Sequence, residues 1–187
     1  EHSVLQGDYL CYDEQGRLLQ KAAFSKGRLH GELSVFQDGR PLATLLYQDD
    51  QLHGQAVYWN DRQEIRGRQE YANGKLNGQT EWFDPDGRLL FQEQYLDNRL
   101  EGERTEYYPS GALKKREFYC NNLLEGESRA WYENGNLKER CFYKHGKQSA
   151  EPIEYTEDGT LLEQEPSPRN AEEQSPKAGK GLFRRSP

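Results

Sequence analysis

Glycine recurs along this chain at a nearly constant interval. Gly7, Gly31, Gly54, Gly78, Gly102 and Gly126 are separated by 24, 23, 24, 24 and 24 residues, and Ala150 falls 24 further on. A period in this range marks a repeat protein, in which each unit buries its apolar side chains against its neighbours. Other positions keep the same interval. Five residues after each marker stands an aromatic: Tyr12, Phe36, Trp59, Phe83, Tyr107, Trp131, Tyr155. Nine after it comes a second glycine in five units (Gly16, Gly87, Gly111, Gly135, Gly159), with Gly39 one residue early in the shortened second unit. Eleven after it lies Leu18, Leu42, Ile65, Leu89, Leu113, Leu137 or Leu161, and seventeen after it Phe24, Tyr71, Tyr95, Tyr119 or Tyr143, with Tyr47 displaced by the deletion.

These intervals predict strands. The segments between glycines are six to nine residues long and rich in Tyr, Phe, Trp and Leu, which favours an extended chain over a helix. Asp86-Gly87, Ser110-Gly111, Asn134-Gly135 and Asp158-Gly159 have hairpin-turn chemistry, with glycine supplying a positive φ. The marker glycine is expected in the second turn of each unit. Each unit then forms one β-hairpin, and about seven in series form an all-β, elongated, twisted antiparallel meander over residues 1–162. The leucine at offset eleven and the aromatics at five and seventeen are expected to share one face. From residue 163 to 187 the chain is rich in proline and mixed charge and nearly devoid of apolar residues, so a disordered tail is expected there.

The unit Gly78-Gln-Thr-Glu-Trp-Phe-Asp-Pro-Asp-Gly-Arg-Leu-Leu-Phe-Gln-Glu-Gln-Tyr-Leu-Asp-Asn-Arg-Leu-Glu101 resembles the MORN-variant repeat of bacterial antitoxin-like proteins, as does the unit beginning at Gly102. The steps Leu29-His30-Gly31 and Leu52-His53-Gly54 are similar to the His-Gly step of ordinary MORN repeats. The resemblance spans roughly residues 5–162. It implies a β-hairpin repeat scaffold and, in function, an antitoxin or immunity protein paired with a secreted toxin or effector.

Composition agrees with a thin sheet. Only 33% of residues are hydrophobic and 30% are charged, too few apolar residues for a compact domain of this length. The net charge is −7, and the repeats before residue 163 carry 20 basic and 28 acidic residues. No basic stripe is evident, so nucleic acid is excluded as a partner and anionic membrane is disfavoured. A basic protein surface is the better match. There is no transmembrane run, and the first residue is not methionine. A cleaved export signal before Glu1 explains that, as does trimming of the chain. The expected compartment is the periplasm, with the cytoplasm as the alternative.

The sequence offers no catalytic, metal or cofactor constellation. Cys120 and Cys141 fall in second strands of successive units, about 9–10 Å apart in a meander, too far for a disulfide, and Cys11 is remote. Of the four histidines, His30 and His53 occupy one slot of successive repeats, His145 another turn, and His2 the terminus. No nucleophile elbow, phosphate loop or zinc-protease signature is present, so no enzyme activity is expected. Glu101 and Glu125 are repeat equivalents beside the marker glycine and read as turn residues.

The expected function therefore lies in a surface. Units three to six place large aromatics on the face opposite the repeat consensus: Tyr58, Trp82, Tyr108, Phe118, Tyr132 and Phe142. Six such rings make a partner-binding patch, set against the alternative that they cover the sheet against one another. Glu103, Glu106, Glu125 and Glu127 are expected to steer a basic partner. The leading reading is an immunity protein that blocks a cognate toxin or effector by steric occlusion; by analogy the target is an envelope-acting lipase or phospholipase. The alternatives are a self-associating scaffold and a membrane-tethering module.

Overall fold

The computed structural model describes residues 4–162. Over these the chain forms a single antiparallel sheet and no helix. In chain order the strands are β1 (Gly7–Tyr12), β2 (Leu18–Ser25), β3 (Arg28–Gln37), β4 (Arg40–Gln48), β5 (Gln51–Leu52), β6 (Gly54–Trp59), β7 (Ile65–Ala72) and β8 (Lys75–Phe83). They continue as β9 (Leu89–Leu96), β10 (Arg99–Tyr107), β11 (Leu113–Cys120), β12 (Leu123–Leu124), β13 (Gly126–Trp131), β14 (Leu137–Lys144), β15 (Lys147–Gln148) and β16 (Ile153–Glu154). Spatial order follows chain order, and the short β5, β12 and β16 pair with β4, β11 and β14. The expected meander of hairpins is what the chain forms; the expected tail lies outside the described residues.

The first turn of each unit is built as its sequence implies. The Gly16 N–H donates to the Asp13 carbonyl at 3.0 Å, and the Asp13 N–H donates to the Arg17 carbonyl at 2.9 Å. The Asp13 side chain accepts the N–H groups of Gln15 and Arg17, so a short carboxylate does the work of a turn. Asp84 repeats the arrangement, and Asn60 does so with its amide oxygen. The glycine closes the turn at positive φ, for example +77° at Gly16 and Gly87. In unit three the same place is held by Gln63 at φ +68°, a conformation that an L side chain adopts at a cost.

The second turn is not where the marker glycines are. It is a two-residue turn four positions earlier, as at Asp49-Asp50, Asp97-Asn98 and Asn121-Asn122, with both residues at positive φ (50° and 66–67°). Such paired left-handed residues twist in the same sense as the strands they join. Asn and Asp tolerate this conformation, which is why these turns lack the Gly signal that marks the others. The marker glycines lie within the strands, where the ladder slips: the register breaks between Leu100 and Arg104 around Gly102, whose φ is +101°. They form bulges, each needing a backbone closed to other residues.

The second turns also tie unit to unit. The Asp50 N–H donates to the Leu29 carbonyl, Asn98 to Leu76 and Asn122 to Leu100, at 2.9–3.0 Å. In return the leucine N–H donates to the side-chain oxygen of Asp50, Asn98 or Asn122, each at 2.7 Å. The residue before the marker glycine adds a third bond: Glu101 accepts the Asn121 N–H, and Glu125 the His145 N–H, both at 2.7 Å.

Register assigns the two faces. Pairs such as Gly78↔Tyr95, Thr80↔Glu93 and Trp82↔Phe91 place Tyr71, Tyr95, Tyr119 and Tyr143 on one side, the tyrosine face. Pairs such as Arg68↔Glu81 and Arg116↔Arg129 define the other, the arginine face. Offsets eleven and seventeen share the tyrosine face as expected. The aromatic at offset five follows a bulge, so that Phe83 and Trp131 stand opposite Leu89 and Leu137 in register, yet their rings meet arginines of the other face, Arg68 at 5.3 Å and Arg116 at 5.8 Å. The tyrosine face is the better packed, holding Ala22, Ala56, Thr80, Glu117, Ser128 and Cys141 at 0–6% exposure, against Ser34 and Thr105 on the other. Replacing Gln63 by glycine relieves the one strained first turn and is expected to raise unfolding stability by about 1 kcal/mol in urea titration.

Candidate interaction surface

The six rings expected to form one patch lie in three places. Tyr58 and Trp82 are on the tyrosine face, stacked at 6.1 Å between centroids and 14° between planes. Gly67 lies between them in register, and a Cβ there would stand 2.9 Å from the Trp82 ring, so this glycine exists for close approach rather than for φ. On its far side Trp82 meets Phe91 at 6.4 Å, and the Arg104 guanidinium lies over Phe91 at 5.6 Å. Trp82 is thus enclosed by its own neighbours. A 560 Å³ cleft lined by Trp82, Phe91, Arg62 and Arg66 opens beside this stack at the first-turn edge.

Tyr108 and Tyr132 occupy the first position of their turns, where other units have Asp or Asn. Their N–H groups make the turn bonds, and their hydroxyls reach one unit on: Tyr108 donates to the Trp131 carbonyl and Tyr132 to the Tyr155 carbonyl, both at 2.8 Å. They are inter-repeat clasps. Phe118 and Phe142 alone of the six lie on the arginine face, opposite Glu103 and Glu127.

The acidic residues divide similarly. Glu106 is on the tyrosine face, 2.7 Å from Arg104 and 3.8 Å from Lys114. Glu125 accepts the His145 N–H at the next turn, with the His145 ring nitrogen 3.5 Å away, an ion pair only when that ring is protonated. Glu127 binds Arg129 at 2.5 Å and Arg140 at 2.6 Å, and hydrogen bonds from both, Arg129 first, hold its carboxyl below the usual range. Only Glu103 is exposed without an ion-pair partner among the described residues. The steering field anticipated from these four glutamates is largely neutralised within the sheet.

The most enclosed charges are on the tyrosine face. Arg104 contacts Glu93 at 2.8 Å, Glu106, and Glu117 at 3.1 Å; Lys115 lies 2.5 Å from Glu117, whose side chain is 4% exposed. Burial opposes the Arg104 charge, but bonds to Glu93 and Glu106 outweigh it and raise its pKa. The hydroxyls of Tyr95 and Tyr119 donate to Glu93 and Glu117 at 3.0 and 3.2 Å. Burial, reinforced by these carboxylates, pushes both phenols up to about 12. Burial does the same to Tyr58, and lifts the Cys141 thiol to about 11 with help from Glu139. Cys11, Cys120 and Cys141 are all free thiols.

Sequence reading missed the arginine row. Arg116, Arg129 and Arg140 stand directly opposite one another across β11, β13 and β14. The signal was periodic: Arg68, Arg116 and Arg140 all lie fourteen residues after a marker glycine. Arg116 sits over two rings, Phe118 at 6.0 Å and Trp131 at 5.8 Å, and Arg140 lies 5.6 Å from Phe142.

Units four to six, where these features concentrate, can be compared with known repeats. Residues 76–97, 100–121 and 124–145 match the family model of the MORN repeat variant. The three matches stand in tandem and together cover 66 of the 187 residues. Each match begins at the closing leucine, crosses the bulge and first turn, and ends in the following second turn, so it brackets one inter-unit link. No curated protein matches the chain. Among solved structures it is similar to accessory secretory protein 1,2 and 3 of Streptococcus pneumoniae, at 13% identity, covering 63% of this chain and 20% of that one, with a TM-score of 0.34. It is also similar to a mutant of S. aureus TarM, at 14% identity, 67% and 20% coverage and a TM-score of 0.30. The chain spans about a fifth of the length of those proteins, and likenesses this distant carry no functional argument.

Two predictions test the tyrosine face. Arg104→Ala leaves Glu93 without an ion-pair partner and Glu106 and Glu117 with one lysine each, and is expected to cost about 3 kcal/mol in urea unfolding. Unfolded tyrosines and cysteine lose their protons near 10.0 and 9.0, whereas folded Tyr58, Tyr95, Tyr119 and Cys141 keep theirs to about 12 or 11. Stability is therefore complete below pH 9 and falls progressively towards pH 12, readable as a declining thermal midpoint.

Proposed function

We propose that this protein is a non-catalytic repeat scaffold that binds a protein partner across the arginine face of its fifth and sixth units. The contrast between the two faces carries this reading. In units three to five the tyrosine-face rings are stacked, as Tyr58 and Trp82 are, or donate to a neighbouring side chain, as Tyr71, Tyr95 and Tyr119 do, whereas Phe118 remains 39% exposed beside Arg116, in the mixture of aromatic and arginine typical of interface anchors. More finely, the partner is a secreted bacterial toxin or effector, and the chain acts as its immunity protein by covering the active site or the route to it. The likeness to antitoxin-type repeats supports this finer reading.

The test is capture from the lysate and secreted fraction of the native organism, followed by expression of the captured protein. A single stoichiometric partner, toxic alone and silenced by this chain, establishes the immunity reading; a non-toxic stoichiometric partner leaves only the scaffold, and no partner at all sinks both. Phe118→Ala with Phe142→Ala is expected to weaken capture at least about tenfold, with the fold intact by circular dichroism. Trp82→Ala instead lowers the thermal midpoint.

A second reading, self-association, is favoured by β1. Among the described residues nothing pairs with its outer edge, and Tyr9, Leu10 and Tyr12 are 45–52% exposed. Light scattering across a concentration series decides it, because a monomer at every concentration removes this reading.

A further inference from the structure

We infer that the arginine row of units five and six is a docking surface for an acidic segment of a protein partner, the reverse of the charge expected from the chain's overall balance. The inference rests on the scaffold reading and names the chemistry of its partner.

Three arginines face one another across adjacent strands, Arg116↔Arg129 and Arg129↔Arg140. Like charges directly opposite in a sheet are destabilising, so the packing of the repeat gives no reason for the row. The available carboxylate does not neutralise it. Glu127 is shared between Arg129 and Arg140, and Arg116 has no carboxylate partner among the described residues. The Nε of Arg129 is buried without any hydrogen-bond partner. Adjoining residues on this face add Lys144 to the arginines and only Glu103 to the acidic side. A net positive patch thus persists on a sheet whose repeats are strongly acidic overall.

The rings fix the kind of ligand. Phe118 and Trp131 flank Arg116, and Phe142 flanks Arg140, within a span of three strands. Guanidinium groups held beside rings can take a carboxylate in bidentate fashion, and the exposed ring next to them accepts an apolar side chain. An extended segment alternating Glu or Asp with aromatic residues satisfies both. A polyanion such as nucleic acid or an anionic membrane does not fit as well, because the surrounding acidic repeats repel any charge extending beyond these three strands.

The probe is a fluorescein-labelled peptide, Glu-Trp-Glu-Phe-Glu, titrated by anisotropy against the full chain in low salt. The control is the same peptide with lysine in place of glutamate. The acidic peptide is expected to bind and the lysine peptide not to. Arg116→Gln, which breaks no ion pair, is expected to weaken binding at least about fivefold at an unchanged thermal midpoint. Glu103→Lys, at an exposed position opposite Phe118, is expected to tighten it about threefold and to steepen its salt dependence. Absence of binding by the acidic peptide, preference for the lysine peptide, or weakening by Glu103→Lys each overturns the inference. So does equal binding of duplex DNA or of vesicles containing anionic lipid. The titration reads the charge preference without the native partner, so its failure is distinct from a failure of partner capture. A captured partner that binds Arg116→Gln undiminished removes the arginine row and leaves the scaffold reading in place.

Discussion

A single-layer sheet has no second layer to define its register, so the links between consecutive hairpins must do so. Here the N–H of each second turn reaches the leucine carbonyl of the turn before, and at Asp50, Asn98 and Asn122 the leucine N–H returns to the Asp or Asn side chain. Because these bonds join equivalent atoms one repeat apart, equivalent side chains line up in rows across the sheet. A slip of one residue would exchange the two faces and bury charge where tyrosine belongs. The glycine bulges complete the arrangement by absorbing the residue that the two-residue turns leave over.

Rows turn a one-dimensional repeat into two surfaces of different character. On the tyrosine face the rows are self-sufficient: Tyr58, Trp82, Phe91 and Arg104 form one continuous stack that ends in the carboxylates around Arg104. Phenol hydroxyls meet the residue two positions back, so burial there leaves few polar groups without partners. On the arginine face one row runs through three arginines in register, and the row beside it holds the exposed ring of Phe118. A sheet this thin gains little from burial, and cross-strand pairs carry most of its stability. Repulsive pairs are therefore a greater liability in this molecule than in a thick globular domain.

The hairpin unit, its strands and its first turns were legible in the sequence, because glycine with Asp or Asn at fixed spacing has few backbone solutions. The second turns were less so: Lys26-Gly27, Asn73-Gly74 and His145-Gly146 carry glycine, but Asp49-Asp50, Asp97-Asn98 and Asn121-Asn122 rest on Asp and Asn alone and break the pattern. The candidate site was less legible still. Tyr108 and Tyr132 read as face residues when extended alternation is continued to the end of the strand, yet they stand in the turn and point to the next unit. Glu103, Glu106, Glu125 and Glu127 do not form one acidic field either, since two occupy the arginine face, one the tyrosine face and one the break between β12 and β13.

Repeat length, the all-β class, the meander and the positions that need glycine follow from the residues alone, because local backbone preferences repeat at a fixed interval. Which side chains share a face, which charges neutralise one another and where arginine meets arginine are settled in the folded sheet. Those outcomes depend on register between strands, and a single bulge, invisible in the count of residues, moves every following side chain to the opposite side of the sheet.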